Sequence, residues 1–220
     1  AATIMHTTSI TTLRLSTALL LLWSTLKPTN AFSTLTQNAY TDWVTSNGGN
    51  YDVSALFPPG DATDVNLAVH WSINIDDETP TIHLAVAAEA TGWLGFGVAE
   101  AGGMPGSDIA VFTTEGGVGT LTDAYATTYS TPKTDDQQDW ILKSYSLDGG
   151  FIIWEGERLL QTCDNQDWEI RDDSLGAVYT PPHKIIAAWG SNSGSMSYHG
   201  DQRVSGEIRF FGNGEETASF

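Results

Sequence analysis

The chain has 220 residues, with 9 Lys and Arg against 27 Asp and Glu, a formal net charge of −18. So few cations cannot displace the counterions of a phosphate backbone, which argues against nucleic acid as a partner. Hydrophobic residues at 40% and aromatics at 10%, interrupted by 22 Gly and 8 Pro, describe a core with frequent turns and exclude a disordered chain; the length leaves room for about one domain.

Four residues precede Met5. From there MHTTSITTLR, the apolar run LSTALLLLWSTL (Leu15 to Leu26) and KPTNA, with small residues at Thr29 and Ala31, have the form of a secretory signal peptide over residues 1–31. The apolar run is too short to cross a hydrocarbon layer of about 30 Å as a helix. Removing it takes away Arg14 and Lys27 but no acid, so the mature chain is more acidic still. The expected location is secreted, extracellular or lumenal, with a tether to a membrane only through sequence beyond this chain.

Residues 32–63 mix Ser, Thr, Asn, Gly and Pro around Trp43, Tyr51 and Phe57, which predicts an irregular lead-in. From Leu67 a period of two begins. Leu67, Val69, Trp71, Ile73 and Ile75 alternate with polar or small residues, and Ile82, Leu84, Val86 and Ala88 repeat the pattern after the turn Asp76 to Pro80, which predicts a pair of strands each buried on one face. Further strands are expected at 92–98, 108–113, 120–126, 140–146, 150–155, 177–179, 184–190 and 204–211. No long stretch has helical periodicity. Short strands at even spacing between Gly, Pro and Asp turns predict a two-layer antiparallel sandwich or a barrel.

The segment TGWLGFGVAEAGGMPGSDIAVF, Thr91 to Phe112, is unusual physically. Gly92, Gly95 and Gly97 strip side chains from a strand otherwise built of Trp93, Leu94, Phe96 and Val98, which a strand tolerates where something approaches its backbone closely. A glycine-flanked turn then carries Met104. Downstream come DAY (123–125), DDQQDW (135–140), RLLQTCDNQDWEI (158–170), IIAAWG (185–190) and YHGDQRVSGEIRFF (198–211).

With these motifs in this order the chain resembles a DOMON domain, and within that family the N-terminal domain of copper-dependent monooxygenases of the dopamine β-hydroxylase type. The resemblance covers about Asn66 to Gly212. It implies an all-β, antiparallel immunoglobulin-like β-sandwich over residues 64–212, with 213–220 the start of a linker or a truncated end. It implies a ligand-binding, interaction or electron-transfer module within a larger redox protein. Its partners would be downstream copper domains of the same protein or a redox partner, and it implies a disulfide from Cys163, the only cysteine, to a later domain, where the residues alone leave open a free thiol or a buried, inert one.

Three chemistries are open. Some DOMON domains hold haem b between a Met and a His, and Met104 and His199 occupy those places; a thioether and an imidazole form a low-spin, electron-transferring ligand set. A calcium-like structural cation is the second, since Asp108, Asp123, Asp135, Asp136 and Asp139 supply the hard oxygens that Ca²⁺ prefers. Carried over from the hydroxylase-type domains, that site would use Asp108, the carbonyls of Ile109 and Ala124, and Asp135. A sugar or other small-molecule ligand stacked on Trp93, Trp140, Trp154, Trp168 or Trp189 is the third.

Catalytic copper needs several convergent imidazoles, and only His70, His83, His183 and His199 follow the signal. His70 and His83 are expected near polar strand faces, and His183, after Pro181 and Pro182, in a loop. Copper therefore belongs to domains absent from this chain. The expectation is a secreted accessory module of a copper monooxygenase-like protein, the alternative being an extracellular b-type cytochrome domain.

Overall fold

The computed structural model describes residues 37–57, 66–75, 78–174, 180–212 and 218–219. The signal-like segment, the strand expected at 177–179, the expected boundary at residue 64 and most of the 213–220 tail lie outside them.

The lead-in is more regular than its composition suggests. It holds helix α1 (Gln37–Asn47), one 3₁₀ turn (Gly48–Asn50) and strand β1 (Val53–Phe57). There follow β2 (Leu67–Asn74), β3 (Thr81–Glu89), β4 (Trp93–Val98), β5 (Ser107–Glu115), β6 (Val118–Ala126), β7 (Lys133–Thr134), β8 (Ile141–Ser146), β9 (Phe151–Leu159), β10 (His183–Gly190), β11 (Arg203–Ile208) and β12 (Ala218–Ser219). The alternating pair pairs as expected, with Val69 opposite Val86 and Trp71 opposite Leu84 in β2 and β3.

The strands form two antiparallel sheets, one ordered β1-β2-β3-β9-β8 and the other β12-β11-β10-β4-β5-β6-β7. Period-two alternation decides which side chains meet between them. Leu67, Val69, Trp71, Ile82, Leu84, Val86, Ile152 and Trp154 from the first face Leu94, Phe96, Val98, Ala110, Phe112, Ile185, Ala187 and Trp189 from the second. The Trp71 indole donates to the Phe210 carbonyl at 2.8 Å, and the buried Asp173 carboxylate accepts the backbone N–H groups of Phe210 and Phe211 at 3.1 and 2.9 Å. The segment after β11 is thereby tied to the core.

Both outer faces carry a second apolar layer. On the first sheet, Ala68, Ala85, Ala87, Phe151 and Ile153 are covered by Tyr40, Trp43 and Tyr51; the alanines make a flat platform for the rings. On the second, Ile109, Val111, Ala124 and Ala126 are covered by Met104, Ile186 and Met196.

The close approach implied by the glycines in and just before β4 is made by the chain itself. A Cβ on Gly97 would stand 2.3 Å from the Asp108 carbonyl of β5, and one on Gly92 would stand 2.2 Å from the Asn192 carbonyl. Trp93, Trp154 and Trp189 are core residues, Trp140 is half-buried against Trp154, and Trp168 is partly exposed.

Candidate functional site

The most strongly coupled group of charges lies where one end of β5 and β6 meets β9. Arg158 has the inward parity of Ile152 and Trp154 on β9, and Asp108 and Asp123 have the inward parities of Ala110 and Leu121 on β5 and β6. All three are 2% exposed or less. Burial of that kind requires partners. Arg158 Nη1 donates to Asp108 Oδ2 at 2.7 Å and lies 3.6 Å from Asp167 Oδ2. Its Nη2 donates to the Trp168 carbonyl, while the Trp168 N–H donates to Asp108 Oδ2 at 2.9 Å. The 160–168 loop is thus folded back onto the strand ends.

Asp108, Asp123 and Asp167 each bring a carboxylate oxygen within 4.8 Å of the others. Against one guanidinium that is a surplus of negative charge in a shielded place. Burial, then the charges of Asp108 and Asp167, push Asp123 up to about 8. Burial and Asp108 likewise push Asp167 up to about 6. Burial alone would lower Arg158, but Asp108 and Asp167 outweigh it and raise it. Asp123 Oδ2 accepts the Asp139 N–H at 3.1 Å, whereas Asp123 Oδ1 and Asp167 Oδ2 are buried without a hydrogen-bond partner among the described residues. Such oxygens suit a hard cation or a shared proton.

The expected cation ligands are arranged differently. Asp108 is in the group, but it is already bonded to Arg158, and its carboxylate companions are Asp123 and Asp167. Asp135 is buried next door: its N–H donates to the Asp123 carbonyl at 3.0 Å, its Oδ1 accepts the Gln137 N–H at 3.2 Å, and its Oδ2 has no partner among the described residues. Ile109 and Ala124 face one another in the β5–β6 register, with their side chains in the outer cluster. Asp167 and Arg158 were not anticipated as members. The signal for Arg158 was its inward parity in an otherwise apolar strand.

Met104, in the β4–β5 connection, is half-buried in that same outer cluster beside Met196. His199 is half-buried in the 191–202 connection, its ring stacked on the exposed Tyr198 at 5.4 Å. Its Nδ1 donates to the Gly200 carbonyl at 2.9 Å, which leaves Nε2 as the lone-pair nitrogen. The two connections leave opposite ends of the β4–β10 pair, because Trp93 is opposite Gly190 and Val98 opposite Ile185. The 191–202 segment nevertheless returns Met196 over the outer face to the Met104 cluster.

His70 and His183 differ from expectation. His70 is buried under α1 and not at a polar face; its Nε2 lies 2.8 Å from the Tyr40 hydroxyl. His183 is the fully buried first residue of β10, with Nδ1 2.9 Å from Glu100 Oε1. Partial burial would raise Glu100, but bonds from Arg171 and His183 outweigh it and hold the carboxyl low. That clamp fixes the start of the β4–β5 connection. Cys163 is exposed, with a free thiol and φ of 64°.

A family profile described as "DOMON domain" matches residues 63–180. The chain is 32% identical over 118 residues to "DBH-like monooxygenase protein 1" of Gallus gallus, spanning 54% of this chain and 18% of that protein. It is 27% identical over 113 residues to "Dopamine beta-hydroxylase" of Rattus norvegicus, spanning 51% of this chain and 18% of that protein. The chain therefore matches about a fifth of each relative's length. Among solved structures, the cytochrome b domain of pyranose dehydrogenase from Coprinopsis cinerea aligns with a TM-score of 0.45 and 14% identity, over 63% of this chain and 74% of that one.

Proposed function

This chain belongs to the DOMON domain family, and from that premise we propose that it is the accessory binding and interaction module of a larger, secreted copper-dependent monooxygenase-like protein. The observation that carries this reading is its match to about a fifth of the length of two monooxygenase relatives. Among the described residues the four imidazoles lie on β2, β3, β10 and the 191–202 connection, and the one group of three possible metal ligands is made of carboxylates. Copper chemistry is accordingly assigned to domains outside this chain, and this domain contributes rigidity and contact surface. The exposed Cys163 thiol offers a covalent link to such a domain.

Within the module, the Asp108, Asp123 and Asp167 group holds a structural cation of the calcium type, with Asp135 adjacent. The buried, unpartnered Asp123 Oδ1 supports the fit. The ion offsets the surplus charge around Arg158 and locks the 160–168 loop to the strand ends. The transcript tests the main reading: an open reading frame continuing from Phe220 into sequence rich in paired His and Met is expected, and a stop codon directly after Phe220 would overturn it.

A second reading rests on Met104, on the outer face of the other sheet, and His199, in the connection that leaves the opposite end of the β4–β10 pair. Met104 borders an apolar layer, and His199 has the tautomer that leaves Nε2 free to ligate. Together they would hold haem b, which when bound supplies single-electron transfer. Met104 and Met196, both packed on that apolar layer, would keep water from that face. An absorption spectrum after haem addition separates the readings: a reducible Soret band supports the cytochrome function, and a colourless protein removes it.

A further inference from the structure

His70 is a buried titratable group outside the sites described above. It is 6% exposed, on the outer face of the first sheet, and its ceiling is supplied by α1. Tyr40 of α1 bonds its Nε2 at 2.8 Å, and Trp43 of α1 packs edge-on against the ring at 5.3 Å. Tyr51, just before β1, closes a third side at 5.9 Å. We propose that α1 is an acid-released strap: it stays docked while the His70 imidazole is neutral and lets go of the sheet when that ring takes up a proton.

The groups facing His70 favour this outcome. From α1 come a phenol and an indole. From β3 comes His83, whose ring packs against Tyr51 at 5.1 Å and whose Nε2 has no partner among the described residues. From β9 comes Glu155, whose Oε2 accepts the Tyr51 hydroxyl and whose Oε1 accepts the Ser144 hydroxyl. The carboxylate in this network is thus committed to two hydroxyls and is separated from the imidazole by Tyr51. A charged imidazole under the strap is deprived of water; lifting α1 hydrates it.

Burial holds His70 at about 4, against an ordinary value of 6.5. The folded value is depressed, so docking is at full strength above about pH 6.5 and weakens as pH falls toward 4. With those two values, the opening equilibrium of α1 rises about 25-fold between about pH 7.5 and about pH 5. The inference does not depend on the accessory-module reading, since it rests only on the packing of α1 and Tyr51 over His70.

The test is amide hydrogen exchange on the unmodified chain at those two pH values, corrected for intrinsic exchange, with the His70 ring followed by NMR. Protection over residues 37–47 is expected to fall about 25-fold, while β3 and β9 amides keep theirs and His70 titrates with the loss. His70→Phe, which keeps a buried ring, is expected to make α1 protection independent of pH. Unchanged α1 protection in the unmodified chain overturns the proposal, as does equal loosening of α1 and β3. If His70→Phe fails to fold, these two readouts on the unmodified chain still decide.

Discussion

Arg158 and Asp108 join the two sheets through a buried ion pair of 2.7 Å, one residue on β9 and the other on β5. Removing one partner of such a pair costs more than the pair contributes, because the survivor is left charged and dry. Arg158→Met is therefore expected to destabilise the domain by about 3–5 kcal/mol in denaturant unfolding. It would strand Asp108 and Asp167 together and free the Trp168 carbonyl. Replacing Asp108 by Asn as well should recover part of that loss.

The same cluster gives stability a pH dependence of unusual sign. Asp123 is raised from 3.8 to about 8, so its contribution is full at low pH and is lost as pH rises toward 8. Without divalent cations, stability is expected to fall by about 1.4 kcal/mol for each pH unit through this window if the group releases one proton. Calcium should oppose the fall, and more strongly at high pH where it does not compete with the proton. Thermal unfolding in EGTA and in millimolar CaCl₂ measures both effects, and Asp123→Asn should weaken both, leaving the smaller fall below about pH 6 that Asp167 contributes.

Gly97 is held by its neighbour's backbone. A methyl group there would stand 2.3 Å from the Asp108 carbonyl, so Gly97→Ala must displace β5 and is expected to cost about 1–3 kcal/mol. Gly95, whose nearest neighbours are at 3.6 Å or more, should accept Ala with much less loss. Comparing the two variants by urea unfolding separates steric crowding from glycine's general effect on strands.

Asp173 accepts two backbone donors after β11, one buried and one half-buried. Asp173→Ala leaves the N–H groups of Phe210 and Phe211 without their acceptor and is expected to destabilise by about 1–3 kcal/mol for each buried donor left unsatisfied. Faster amide exchange at those two residues would identify the cause.

Much of the sandwich could be read from period-two alternation, because each strand has one face in the shared core. Core residues such as Trp71, Leu84, Phe96 and Trp154 follow directly from it. Extending the same parity along β9 also places Arg158 inside, and along β5 it places Asp108 there. Asp167 could not be found that way. It lies in an irregular loop whose course is set by the Arg158 and Trp168 bonds, which are long-range. Helix α1 escaped because its apolar positions, Tyr40, Trp43 and Val44, span barely one turn, and its stability comes from packing on the Ala68, Ala85 and Ala87 platform rather than from local propensity. His183 looked like a loop residue after two prolines, yet Glu100, 83 positions away, draws it into β10.

The native protein, isolated from its source with an antibody raised against this domain, offers the most direct test of the accessory-module reading through its length, metal content and absorption spectrum. A secreted polypeptide several times longer than 220 residues, carrying copper and showing no Soret band, is expected. A species no longer than this chain, free of copper and with a reducible Soret band, would contradict the reading and assign the domain to electron transfer.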